Sequence, residues 1–186
     1  GNTATVTQSS IAGQANASTI LQTGSASGST ATVDQDGEGN TSTVTQDGDD
    51  SDVEVDQDGT DNVSVVDQIA GNSTIDVTQN GTGNDSEVTG IANGSDVTVN
   101  QQGDGNESTV TQNFAEVDNP FCPGFLCFGG PANIPVLNEN QSASVSQDGN
   151  GNKAAIAQYG RNQVARITQI GAPAAIMGTA ASCALP

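Results

Sequence analysis

The sequence predicts an all-β solenoid, a stack of 22-residue coils with two strands in each coil. Three observations predict it. Gln recurs at intervals of 11 residues, a β-branched residue stands two before every anchor, and short runs rich in Gly, Asn and Asp separate one anchored segment from the next. Spacing of two is strand periodicity, so the marked positions share one face. Such a coil cannot bury its inner face alone and must stack on a neighbour.

Two looser copies open the chain, anchored at Gln8 and Gln22. Regular spacing then runs through Gln35, Gln46, Gln57, Gln68 and Gln79, passes Gly90 in place of Gln, and continues at Gln101 and Gln112. After a gap, Gln147, Gln158 and Gln169 resume it, giving 13 copies, or about 6.5 coils. The β-branched partners are Val6, Ile20, Val33, Val44, Val55, Val66, Val77, Val88, Val99, Val110, Val145, Ile156 and Ile167. Four before each anchor stands a small or β-branched residue such as Ala31, Ser42 or Val53. Six before, Ser29 and Asn40 open an alternation that brings Asn62, Asn84 and Asn106 inward, with Asn152 in the later copies. That alternation makes 22, not 11, the true unit.

Each half is expected to be a strand of about seven residues and a four-residue turn. The turn glycines Gly37, Gly59, Gly81, Gly103 and Gly149 supply the positive φ of tight reversals. Polar residues on an inner face are costly unless paired. A Gln amide both donates and accepts, so a column of them, one per coil every ~4.8 Å, satisfies itself. Glu in the same place would bury like charges. The alternate positions, for example Asp52, Glu54 and Asp56 or Thr41, Thr43 and Thr45, are polar and face solvent.

The segment Ser29–Gln46 reads Ser-x5-Gln-x-Gly-x-Gly-Asn-x-(Ala/Ser)-x3-Gln, and Ser95–Gln112 reads the same. Gln141–Gln158 fits with Gln for the first Ser and Ala154 at the small position, and Ser73–Gly90 departs only at the last anchor. This pattern resembles the curlin repeat, the unit of curli-type major subunits of bacterial functional amyloid. The resemblance covers residues 1–112 and 141–171. It implies a secreted subunit of an extracellular, cell-surface cross-β fibre in the biofilm matrix, without catalysis or cofactor. The partners it implies are further copies of the chain, a nucleator subunit and an outer-membrane secretion channel.

Two segments leave the pattern. Residues 113–140 carry all four Phe, four of the six Pro and the run Cys122-Pro-Gly-Phe-Leu-Cys127. Pro-Gly favours a turn, which makes Cys122–Cys127 a candidate local disulfide in an oxidising compartment. The insert reads either as an arm whose Phe cluster docks on the solenoid or a neighbour, or as a loop over its own coil. Residues 172–186 form a small, apolar tail with the third cysteine, Cys183, and could cap the stack, dock laterally or cross-link chains.

Composition excludes other classes. Leu, Ile, Val and Phe together number only 35 of 186 residues and the net charge is −19, values of a disordered chain that the repeat overrides. There is no His for acid–base work, no nucleophile–base pair and no phosphate loop, so an enzyme is not expected. With three basic residues the chain repels nucleic acid. No apolar run approaches the ~20 residues of a membrane span, so no membrane insertion is expected. No signal peptide is visible at Gly1, which reads as a mature or trimmed N-terminus.

Written 22 apart, Asp34 lies over Asp56 and Asp36 over Asp58, four carboxylates that calcium could bridge; the reading preferred for them is a solvated acidic face, with no metal site expected. Sequons such as Asn40-Thr-Ser42 fall on the inner face and read as by-products of the repeat. The Thr column of Thr41 and Thr43 runs into Val63 and Val65, then Asp85 and Glu87, too irregular for an ice-binding array. All 22 acidic residues lie in 1–148 and all three basic ones, Lys153, Arg161 and Arg166, in 149–186. The strand Asn2–Gln8 carries neither charge nor Pro to blunt its edge. The expected function is head-to-tail self-assembly. The alternative is a capped monomeric solenoid serving as a calcium- or ice-binding surface protein or an adhesin.

Overall fold

A computed structural model of the chain describes residues 1–10, 13–23, 27–90, 93–113, 140–160, 162–171, 173 and 175–181, with backbone alone at 116–117, 134–135 and 179–181. Fourteen strands form two parallel sheets of seven. The first sheet holds β1 (Thr3–Ser9), β3 (Thr30–Glu38), β5 (Asp52–Thr60), β7 (Thr74–Thr82), β9 (Asp96–Asp104), β13 (Ser142–Gly149) and β15 (Val164–Gly171). The second holds β2 (Ala17–Gln22), β4 (Thr41–Gln46), β6 (Val63–Gln68), β8 (Asp85–Gly90), β10 (Glu107–Asn113), β14 (Lys153–Tyr159) and β16 (Ala175–Ala181). Strands alternate between sheets, so each successive pair completes a coil. The result is the β-solenoid expected from the repeat.

Register follows the 22-residue unit. Val33 pairs with Val55, Val55 with Val77 and Val77 with Val99. The insert changes nothing in this register: Val99 meets Val145, and Val110 meets Ile156. Thr, Val and Ile fill these strands because β-branched side chains fit a pleated surface. A one-residue slip would turn the whole inner set to water, and that fixes the pairing.

The halves divide differently from the expected seven and four. β3, β5, β7 and β9 run nine residues, whereas β4, β6 and β8 run six. The long strands continue through the first turn glycine because those glycines also stack: Gly37 pairs with Gly59, and Gly59 with Gly81. What remains there is a two-residue turn, while the other corner takes five residues. Each corner has one position in the left-handed region immediately before its inner Asn or Ser. Asp61 at φ 54° shares one such column with Gly39, Gly83 and Gly105, and Asp50 and Asn72 share the other with Gly28 and Gly94. Gly, Asn and Asp adopt this conformation at least cost.

The tail supplies a strand that the Gln anchors do not mark. β16 pairs with β14 in register, with Ala180 in the Gln position opposite Gln158. Of the insert, two short pieces are described, an antiparallel pair β11 (Glu116–Val117) and β12 (Ile134–Pro135). Cys122, Cys127, Cys183, the four Phe and Arg161 lie outside the described residues, as does the expected disulfide.

Among the described residues, buried polar side chains outnumber buried apolar ones, 25 to 18. The apolar part is one narrow file of Val, Ile and Ala along the axis. The fold therefore depends on how completely its inner polar groups pair.

Candidate functional site

The chemistry of this chain lies in its columns and its two ends. In the first sheet the Gln column is continuous. Gln8 Nε2 donates to Gln35 Oε1 at 2.6 Å, Gln35 to Gln57 at 2.7 Å and Gln57 to Gln79 at 2.8 Å. Gln79 donates to Gln101 and Gln101 to Gln147, both at 2.9 Å, and Gln147 to Gln169 at 2.8 Å. The second amide hydrogen crosses the core to a backbone carbonyl of the facing sheet, for instance Gln57 to Thr41 at 3.1 Å and Gln79 to Val63 at 2.8 Å. One side chain thus ties coil to coil and sheet to sheet.

The second sheet carries a broken column. Gln22 donates to Gln46 at 2.9 Å and Gln46 to Gln68 at 3.0 Å. Gly90 follows without an amide, and Gln68 turns to the carbonyls of Ala70 and Ser73 at 3.2 and 3.4 Å. The column resumes with Gln112 to Gln158 at 2.9 Å. Ile75 fills part of the gap: a Cβ built at Gly90 would lie 3.4 Å from its Cδ1.

The Asn column works through the backbone. Asn40 Oδ1 accepts the N–H of Asn62, Asn62 that of Asn84, Asn84 that of Asn106 and Asn106 that of Asn152, each at 3.0 Å. Asn40 Nδ2 donates to the carbonyls of Asp36 and Gly59 at 3.0 and 3.1 Å, bracing the tight turn. Asn16 begins this column by accepting from the Asn40 N–H at 3.0 Å. Sequence reasoning missed Asn16, although it stands six before Gln22. The Ser positions of the same alternation lie inside at the other corner, where the Ser51 hydroxyl lies within donating reach of Asp49 O at 3.0 Å and Ala70 O at 3.2 Å and accepts from the Ser73 N–H at 3.4 Å.

Replacing an amide by a carboxyl tests the ladder. Gln101 is fully buried, accepts from Gln79 and donates to Gln147 and to Asp85 O. In Gln101→Glu, burial pushes the new carboxyl's folded-state pKa above its unfolded value. Its stabilising contribution is then complete at acidic pH and disappears as pH rises through the folded value. The variant should approach wild-type stability near pH 3 and be weakened by several kcal/mol at pH 7. Denaturation midpoints at the two pH values check this, and a pH-independent deficit would dismiss the ladder's role.

On the outer face, Asp34 pairs with Asp56 and Asp36 with Asp58, beside Asp76 and Thr78 of the next coil. These four carboxylates line one shallow recess with Ser9, Thr78, Gln79 and Asn80. Among the described residues no three His, Cys, Asp or Glu converge to hold a metal ion. Partial burial raises the Asp56 carboxyl above its ordinary value of 3.8, and the charges of Asp34, Asp58 and Asp76 raise it further. Burial likewise raises Asp85, with Glu107 adding to it. Lys153 pairs with Glu107, both well exposed, so the pair adds little.

A raised folded-state pKa makes the proton the stabilising partner. Its contribution is full below pH 3.8 and is lost as pH rises through the folded value of Asp56. Asp56→Asn should therefore stabilise at pH 7, by no more than about 1 kcal/mol at this solvated site. The gain should vanish by pH 3. Thermal midpoints at both pH values, in low and high salt, read it; an unchanged midpoint at pH 7 would show the column to be fully screened.

The ends differ from the middle. Val6 of β1 is 47% exposed, whereas Val33, Val55, Val77 and Val99 in the same file are 0% exposed. At the other end Ile176 of β16 is 42% exposed. Among the described residues the outermost strands, β1 and β2 at one end and β15 and β16 at the other, each have one unpaired edge; the core is open over Val6, whereas Ile167 at the far end of the same file is 5% exposed. The Curlin associated repeat matches residues 27–59, 48–81, 71–103 and 139–171, more than half of the chain. The chain belongs to the curlin-repeat family. The curlin matches advance by about one coil at a time and skip the insert. Neither the curated proteins nor the solved structures give a match to this curlin-repeat chain. Curlin repeats on a β-solenoid fit a curli-type structural subunit.

Proposed function

We propose that the chain is a secreted structural subunit that polymerises head to tail into an extracellular curli-like fibre. One observation carries this reading: the inner face is sealed within the stack and uncovered on the terminal strands, with Val6 of β1 47% exposed, Val33 wholly buried and Ile176 of β16 42% exposed. Covering an end with a further coil buries apolar surface worth ~25 cal/mol per Å² and pairs the edge groups. The 22-residue unit also sets the register. β1 of one copy lies on β15 of another, placing Val6 on Ile167 and Gln8 on Gln169, and β2 lies on β16. Addition of this kind never closes, so it yields a linear polymer. The function is templated stacking, with adhesion and matrix building as properties of the fibre, and a nucleator and an outer-membrane channel as the partners that start and export it.

Electron microscopy of freshly purified chain, before and after incubation at neutral pH, tests the proposal together with fibre diffraction. The expected product is an unbranched filament with a ~4.8 Å axial repeat. A β-rich chain that stays monomeric at high concentration would overturn it.

A further inference from the structure

The break in the second Gln column coincides with three buried polar atoms that lack partners among the described residues. Gly90, Ser95, Gln112 and Gln141 occupy four adjoining inner positions at one corner, two on each of two successive coils. Gly90 is the register partner of Gln112. Ser95 and Gln141 precede the register partners Asp96 and Ser142, and Asp96 N–H donates to Gln141 O at 2.9 Å. Across this corner in an intact coil the groups touch: Gln46 Nε2 donates to Ser51 O at 2.8 Å.

Ser95, Gln112 and Gln141 are each 1% exposed. Yet Ser95 Oγ, Gln112 Oε1 and Gln141 Oε1 have no hydrogen-bond partner among the described residues. The amides themselves are engaged: Gln112 Nε2 donates to Gln158 at 2.9 Å, and Gln141 Nε2 donates to Asn113 O at 3.4 Å and to Gly160 O. Ladder bonds run from each Gln to the Oε1 of the next, so Gln112 Oε1 faces the coil of Gly90. Ile75, where other coils have Ala31, Val53, Val97 or Ala143, supplies apolar volume there but no polar group.

We propose that this corner binds one internal water molecule. It donates to Gln112 Oε1 and Gln141 Oε1 and accepts from the Ser95 hydroxyl. Three bonds is the usual number for a buried water. The donor–acceptor balance selects water, since two carbonyl oxygens need hydrogens and one hydroxyl needs an acceptor. A metal cation would leave the Ser95 proton unaccepted. The water would supply to Gln112 Oε1 the hydrogen bond that the amide of the absent Gln would have donated.

Water-to-protein cross-relaxation in the full chain, as monomer or as fibre, tests this. Long-lived water contacts are expected at the side-chain amide protons of Gln112 and Gln141, in wild type and in Ile75→Val alike. In Ile75→Val/Gly90→Gln the new amide takes over the bond to Gln112, and the contact there should disappear. No long-lived contact in the wild type overturns the proposal, whether or not the double variant folds. So does a contact from a group in 114–139 in its place, a contact that persists at Gln112 in the double variant, or a stability that depends on which alkali cation is present.

Discussion

Val99→Asp is expected to abolish the solenoid and, with it, any assembly. Val99 is fully buried in the file of β-branched residues, between Val77 and Val145. The substitution removes ~1.5–3 kcal/mol of valine burial and puts a carboxylate where neither water nor a cation reaches it, at several kcal/mol more. Against a typical total stability of ~5–15 kcal/mol, that is enough to unfold the chain. Val77→Asp, at the preceding position of the same file, should do the same. Asn100→Asp provides the control: its side chain points outward from the same strand, between Thr78 and Ser146, and takes the same charge into solvent. Circular dichroism and fibre growth should separate the two, with Asn100→Asp near wild type. If Val99→Asp still folds and polymerises, the inner and outer faces have been exchanged.

Which parts of this could be read from residues alone follows from where each interaction lies. The Gln column was legible because its interaction is between identical side chains at a fixed interval, and Glu never takes the place. The acidic columns were legible for the same reason once written 22 apart. The nine-residue strands were not, because the stacking of Gly37, Gly59 and Gly81 is a backbone interaction and a glycine in a turn looks the same whether or not it pairs. β16 was missed because Ala180 carries no amide, and its strand exists through its pairing with Lys153–Tyr159. The gap at Gly90 was visible as a missing letter. Its partial filling by Ile75 was not, since residues 15 apart meet only across the folded core. Asp61 and Asn72 could have been found: each stands directly before an inner Asn or Ser, where a left-handed residue is needed.

The glycines give the second large effect, because two of them only two positions apart should differ in how far they tolerate a side chain. A Cβ at Gly81 would lie 2.0 Å from the carbonyl oxygen of Gly103 on the next coil, and its φ is +132°. Neither the backbone nor the neighbour can yield without parting two coils. Gly81→Ala should cost about 3 kcal/mol or more, combining backbone strain with steric overlap. Gly59→Ala meets Gly81 O at the same 2.0 Å and should match it. Gly83 has φ +63° with nothing within 4 Å of a Cβ, and its column already admits Asp61 at φ +54°. Gly83→Ala should therefore cost only ~1–2 kcal/mol, and Gly83→Asn less. Denaturant midpoints of the four variants order the effects. The same comparison in a growing fibre asks more of the geometry, because a corner that cannot close within a coil cannot template the next one. Equal losses at Gly81 and Gly83 would mean that the turn, and not the stack, determines where glycine is required.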